Sequence, residues 1–195
     1  MALRDGTKPR RSSIGAKRNP LAEAAILGAA RDLLLEKGYA GFAIDEVARR
    51  AGAGKPTIYR WWPTKADLFV AVYSAEKEAA IHLPSLGSLR VDLIRYTTEL
   101  WRFWRHNPAG SAFRGLIAEA QGSAAALDAL RIKFLDERME TPRLLFQRAA
   151  QRGDIAAAHV EDVMALWIGL NWYHLLTGQL DDEAALLRRI TLLCR

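Results

Sequence analysis

The sequence predicts an all-α fold: an N-terminal three-helix helix-turn-helix domain followed by a C-terminal helical domain. Three observations carry this expectation. Apolar residues recur three and four apart over most of the chain, the spacing of a helix face. No segment shows the convincing period-two alternation of a half-buried strand. Capping residues precede the periodic stretches, and Gly or Pro follows several of them.

Residues 1–18 are rich in Arg, Lys, Ser and Gly and read as a disordered basic arm. Asn19-Pro20 then supplies an N-cap and a proline at the first helical position. Ile26, Leu27, Ala30, Leu33 and Leu34 repeat at helical spacing up to a stop at Gly38, which gives a helix over about 20–37. Short helices are expected over about 44–50 and 55–61. Thr64 opens the next helix with Asp67 as its capping-box partner. Leu68, Phe69, Val72 and Tyr73 form the buried stripe of that helix, and Pro84 marks its end.

Further helices are expected over 89–106, broken by Asn107-Pro108, and over about 109–121. A long amphipathic stretch, 123–150, is to be kinked or split by Pro142. Residues 160–177 are apolar on most sides and stop at Gly178. Asp181, Asp182 and Glu183 favour one last helix start through the macrodipole. These elements divide the chain into the arm, a helix-turn-helix domain over 19–82 and a helical effector-binding and dimerisation domain over 83–195.

The formal net charge is +6, and its distribution is informative. Residues 1–66 hold 13 Lys+Arg against 6 Asp+Glu, whereas residues 67–195 hold 15 against 16. A basic module on a neutral body points to nucleic acid or an anionic lipid surface, against the plainer reading of a solubilising tail. No apolar run reaches the roughly 20 residues of a membrane span, so no membrane partner is expected. The N-terminus lacks the apolar core of a secretory signal. The single cysteine, Cys194, forms neither an internal disulfide nor a metal cluster, which fits a reducing cytoplasm. No cofactor and no metal are expected.

One stretch, "AGAGKPTIYRWWPTKADLF" at 51–69, mixes cations with large aromatics. A buried segment would not carry Lys55, Arg60 and Lys65, and a solvated loop would not carry Ile58, Tyr59, Trp61 and Trp62. Ala48, Gly52 and Ile58 resolve the conflict. A small residue in a first helix, a left-handed glycine in the turn and an apolar residue in a second helix build a helix-turn-helix, with Val47 adding to its core. Lys55, Pro56, Thr57, Tyr59 and Arg60 then occupy the start and exposed face of the helix that enters a major groove. Lys65 stands at a helix N-terminus, which favours a phosphate. Thr64 either caps that helix or meets the DNA backbone. Trp62 reads as core, and Trp61 either packs inside or lies near the backbone of the DNA.

"GYAGFAIDEVARRAGAGKPTIYRWWPTKADLF" also resembles the DNA-binding signature of the tetracycline-repressor family of bacterial regulators. The resemblance rests on Gly38-Tyr39, Val47-Ala48, Ala51-Gly52, Thr57, Tyr59, Trp62, Lys65 and Leu68, and it covers about residues 20–80. Ala43 departs from the threonine usual at the start of the family's second helix, which removes a phosphate contact and about 1 kcal/mol of cap energy. The resemblance implies a homodimeric regulator, usually a repressor, on a palindromic double-stranded operator. It also implies that a small-molecule effector in the C-terminal domain separates the two recognition helices.

The C-terminal residues bear on both implications. Trp101, Trp104, Phe113, Ile117 and Trp167 belong to a region dense in bulky apolar side chains that could enclose an apolar ligand. Ordinary core packing is the competing reading for each. Asn171 and His174, three apart on a very apolar helix, either orient a ligand or pair across a dimer contact. A helix apolar all round is buried on more than one side. Leu166, Gly169 and Tyr173 of the 160–177 helix, with Leu186, Leu187 and Ile190 of the last helix, are therefore candidates for a two-fold four-helix interface. Scattered histidines and the absence of a phosphate loop or nucleophile elbow argue against an enzyme. A constitutive DNA-binding protein without effector is the remaining alternative, with a helical enzyme behind it.

Overall fold

The computed structural model describes residues 19–137 and 139–194. The basic arm of residues 1–18 lies outside the described residues. Among those described, the chain forms ten α-helices and no strand. They are α1 (Pro20–Lys37), α2 (Ile44–Ala51), α3 (Lys55–Trp61), α4 (Lys65–Ala80), α5 (Leu89–His106), α6 (Pro108–Ala120), α7 (Ala124–Asp128), α8 (Glu140–Arg152), α9 (Val160–Thr177) and α10 (Glu183–Leu193).

Side-chain caps account for most of the starts. Asn19 Oδ1 accepts from the Leu21 amide at 3.0 Å, and Asn107 Oδ1 accepts from Ala109 at 2.9 Å. Asp182 Oδ1 accepts from Ala185 at 2.8 Å. Thr64 and Asp67 form the reciprocal capping box at 3.1 and 2.9 Å. Each such cap is worth about 1 kcal/mol. α2 begins at Ala43 without a side-chain cap.

One expectation is corrected: α4 ends at Ala80, before an extended and buried Ile81, and not at Pro84. The 123–150 stretch is split as expected, just ahead of Pro142, which sits in the first turn of α8, where its missing N–H is no loss. Between α7 and the break, residues Ala129–Asp136 wind as a π-helix, and the Glu137 amide reaches back five residues to the Ile132 carbonyl at 3.0 Å.

The N-terminal helices pack around Ile26, Leu33, Val47, Ile58, Leu68 and Phe69, all with no exposed surface. The Tyr39 ring meets the Phe69 ring edge-on at 5.0 Å. Arg50 joins α2 to α1 through two 2.7 Å bonds to Glu36, and it also donates to Glu46 at 2.8 Å. α4 continues into the C-terminal half, where Tyr73 has Phe103, Phe113 and Phe134 as ring neighbours at 5.3, 4.8 and 5.3 Å. α5 and α9 are tied by buried polar bonds: Trp101 Nε1 donates to Asn171 Oδ1 at 2.8 Å and Trp167 Nε1 to Thr97 Oγ1 at 2.9 Å. α10 closes over this layer with Leu186 and Ile190.

α6 reaches the N-terminal helices through Gly115. A Cβ there would lie 2.5 Å from Tyr39 Cβ, so any side chain forces the two elements apart. Gly115→Ala is expected to lower stability by about 1–3 kcal/mol, the usual range for overpacking. Urea denaturation of the two proteins measures it.

Candidate functional site

The turn between α2 and α3 has the geometry its sequence requires. Gly52 takes φ 60° and ψ 26°, a left-handed conformation, and the Ala53 amide closes back on the Ala48 carbonyl at 3.0 Å. Val47, Ala48 and Ile58 are buried between α1, α2 and α3. That packing leaves Lys55, Pro56, Tyr59 and Arg60 exposed, with Thr57 and Trp61 partly covered. Trp62 is buried and meets the Trp61 ring edge-on at 5.6 Å.

The cations on this surface are held differently. Lys55 pairs with Asp45 at 2.6 Å, linking the starts of α3 and α2. Arg60 is exposed and forms no ion pair among the described residues. Lys65, in the first turn of α4, reaches Glu119 of α6 at 3.1 Å, and its ammonium lies 4.1 Å from the centre of the Tyr39 ring. Burial, aided by Glu119, raises the Tyr39 hydroxyl well above its ordinary pKa. The Lys65–Glu119 contact links the helix-turn-helix to the C-terminal half, and sequence spacing offered no sign of it.

Glu46 accepts from Arg49 and Arg50, in that order of effect, which holds its carboxyl down at about 2. Its folded value lies below the ordinary carboxylate range, so its contribution is present above about pH 4.5 and is lost as pH falls toward 2.

A second candidate region lies behind α4. A narrow cavity there is bordered by Tyr73, Trp104, Phe134 and Trp172. The part open to the centre of a water molecule is about 20 Å³, room for one water. Of the seven expected lining residues, Trp104, Trp167 and Asn171 border it. Trp101, Phe113, Ile117 and His174 do not, because other packing uses them. Trp101 bonds to Asn171 and stacks 4.4 Å from the His174 ring. Phe113 sits between Tyr73 and Phe134, and Ile117 is buried on α6. His174 Nδ1 lies 2.9 Å from the Gln179 carbonyl, and Nε2 meets Arg189.

Lys77 also borders the cavity and was missed in the sequence. The signal was there: Phe69, Tyr73 and Lys77 fall four apart, so the lysine continues the buried stripe.

The last two helices show a divided face. Leu166 is 63% exposed and Leu187 48%, and Tyr173 and Gly169 are exposed beside them. Leu186 and Ile190, expected at a dimer contact, instead face the chain's own core at 2% and 0% exposure. Among the described residues no group of three or more His, Cys, Asp or Glu is placed to hold a metal ion. No helix among them is long and apolar enough to cross a membrane. Burial pushes the Cys194 thiol up to about 11.

A buried helix-turn-helix core under a cationic recognition face, joined to a larger helical domain, defines a two-domain DNA-binding regulator. Comparison with known proteins agrees. Residues 26–72 match the description "Bacterial regulatory proteins, tetR family", and residues 83–193 match "Tetracyclin repressor-like, C-terminal domain". The chain belongs to the TetR family of transcriptional regulators. It is 32% identical to the DNA-binding transcriptional repressor TetR of Mycobacteroides abscessus, over 82% of this chain and 85% of that one. It is 31% identical to the HTH-type transcriptional regulator YdeS of Bacillus subtilis, over 74% of this chain and 72% of that one. The crystal structure of the TetR family transcription regulator SCO0332 superposes with a TM-score of 0.77 at 28% identity, covering 89% of this chain and 96% of that one.

Three outcomes follow from this geometry. Arg60→Ala is expected to reduce discrimination between the preferred and a scrambled DNA site by about 1–3 kcal/mol, measured by competition binding. Lys65→Ala should weaken all duplex sequences alike and make the salt slope shallower by about one unit, while Glu119→Gln, which releases Lys65, moves affinity the other way. Glu46→Gln should flatten the loss of stability between pH 4.5 and 2 seen by acid titration of the parent protein.

Proposed function

We propose that the protein is a homodimeric repressor that binds a palindromic operator through α3 and responds to a small molecule held in the cavity behind α4. The observation that carries this reading is α4 itself. One continuous helix has Lys65 in its first turn, beside the recognition helix, and Tyr73 and Lys77 on the cavity wall. Lys65 and Lys77 lie about 18 Å apart at ~1.5 Å rise per residue. A ligand that displaces the second end shifts the first, because a packed helix moves as a unit.

On this reading residues 19–82 bind DNA and residues 83–195 bind the effector and dimerise. The protein acts in the cytoplasm and is not an enzyme. Lys55, Thr57, Tyr59 and Arg60 face the groove, and Pro56 starts the helix that carries them. Trp61, Thr64 and Lys65 flank the phosphates, with Thr64 already engaged as a cap. The repressor reading draws on the name of the Mycobacteroides abscessus relative.

Selection of genomic fragments by the purified protein tests the reading. Recovery of a common inverted repeat supports it, and no retention of any duplex at low salt contradicts it.

The exposed stripe of α9, Leu166, Gly169, Tyr173 and Leu176, together with Leu187 of α10, is the face assigned to the partner. A Cβ on Gly169 would meet nothing within 4 Å, which leaves room for a close helix crossing. Leu187→Glu places a charge on this face, with an expected cost of several-fold to complete loss of dimer at micromolar concentration. Sedimentation velocity reads the change, and circular dichroism checks that the monomer stays helical.

A further inference from the structure

A cleft opens between the recognition helix and the C-terminal domain. Arg60 and Trp61 of α3 and Pro63 of the following turn border it, α4 adds Asp67, and Lys133 and Glu137 border it from the π-helical segment and its end. About 440 Å³ of it is open to the centre of a water molecule, against about 20 Å³ in the cavity behind α4. This cleft has room for more than solvent.

Its charged side chains are not equally committed. Asp67 Oδ2 accepts from the Thr64 amide at 2.9 Å and from the Thr64 hydroxyl at 2.7 Å, so it serves the capping box. Lys133 donates to Glu137, one turn away, at 3.0 Å, and both side chains are about half exposed. Exposed pairs of this kind add little stability, so a competing anion draws the lysine away at small cost. Arg60 is exposed and forms no ion pair among the described residues. Lys133 is nonetheless well placed by its neighbour. Phe134 is buried, 4.7 Å from the Phe113 ring and 5.3 Å from the Tyr73 ring, which fixes the backbone that carries the lysine.

The partner follows from the size of α3 and of its groove. An α-helix is roughly 10–12 Å across with its side chains, and the major groove is about 12 Å wide. A helix lying in that groove has a sugar–phosphate strand against each flank. A wall standing beside α3 across a cleft therefore meets one of those strands. The strand alternates anionic phosphates with largely apolar sugars. The cleft offers both counterparts, Arg60 and Lys133 for phosphates, Trp61 and Pro63 for sugar. A single ammonium with three N–H donors suits one phosphate and reads no base.

We propose that one strand of the operator runs along this cleft and that Lys133 leaves Glu137 to donate to one of its phosphates. The C-terminal domain then takes a direct part in DNA binding, beyond the 19–82 region. This rests on the operator binding proposed above and extends its footprint.

Fluorescence anisotropy of the full chain tests the proposal, with two 30-base-pair duplexes as probes, one carrying the selected inverted repeat and one its scrambled sequence. Lys133→Gln should weaken both duplexes by the same factor and make the salt slope shallower by about one unit for each bound chain. Arg131→Gln removes the same charge from an exposed position outside the cleft and should leave the slope within about a third of a unit of the parent. Glu137→Gln should tighten both duplexes. Acetylation by an amine-reactive ester, read by mass spectrometry, gives a second measurement on the unaltered chain, and Lys133 should be protected when the duplex is bound. The proposal is overturned if Lys133→Gln keeps the parent slope, if Arg131→Gln lowers it equally, or if the duplex leaves Lys133 unprotected. Protection of Lys133 by inorganic phosphate alone, with the duplex slope unchanged by Lys133→Gln, overturns it in favour of a small-anion site. Duplex binding by the parent with no effect at Lys133 refutes this inference alone, whereas no duplex binding by the parent refutes the regulator reading and this inference with it.

Discussion

The structure depends on the burial of one side chain, Tyr73. Its ring lies within 4.8–6.2 Å of Phe69, Phe103, Phe113 and Phe134, and its hydroxyl accepts the Trp104 indole N–H at 2.8 Å. Burial raises that hydroxyl far above its ordinary pKa, so it stays protonated. These contacts fix α4 against α5, α6 and the π-helical segment at once. A close-packed aromatic cluster of this kind responds to a displaced member by moving its neighbours, because interiors have little free volume to absorb the shift. The start of α4, with Thr64 and Lys65, follows directly on the recognition helix, so one helix runs from that helix to the Tyr73 cluster.

A second constraint holds α9 in register with α5. Trp101, Asn171, Trp167 and Thr97 form a buried chain in which Asn171 accepts from Trp101 and donates to the Trp167 carbonyl at 2.8 Å. Buried polar groups left unpaired are costly, so satisfied networks specify one arrangement over its neighbours. That arrangement turns Trp167 and Asn171 toward the cavity and leaves Leu166, Gly169 and Tyr173 facing outward. The same network therefore shapes the cavity wall and the face assigned to a second copy.

Local signals in the chain were enough for most helix boundaries. Asn19 and Thr64 with Asp67 cap where the sequence predicts, whereas Asn107 and Asp182, read as a helix break and as part of an acidic helix start, also act as side-chain caps. The helix-turn-helix was equally legible, because Ala48, Gly52 and Ile58 act within a few residues of one another. What escaped was long-range. The pairing of Lys65 with Glu119 joins positions far apart in sequence, and no periodicity encodes it. Leu186 and Ile190 were apolar enough for an interface, but which face of α10 turns inward is decided by α5, not by α10 alone. The π-helical segment also went unseen, since its apolar residues fit an ordinary helix equally well. Lys77 was legible in principle as a charge on a buried stripe.

The central claim is that a symmetric pair of these chains presents two copies of α3 to one duplex. Hydroxyl-radical footprinting on a genomically selected fragment tests it most directly. The account predicts two protected half-sites of inverted sequence on one face of the DNA, with centres one helical turn apart, about 34–36 Å, or a whole multiple of that. A single unsymmetrical footprint, or two half-sites in direct repeat, would contradict it.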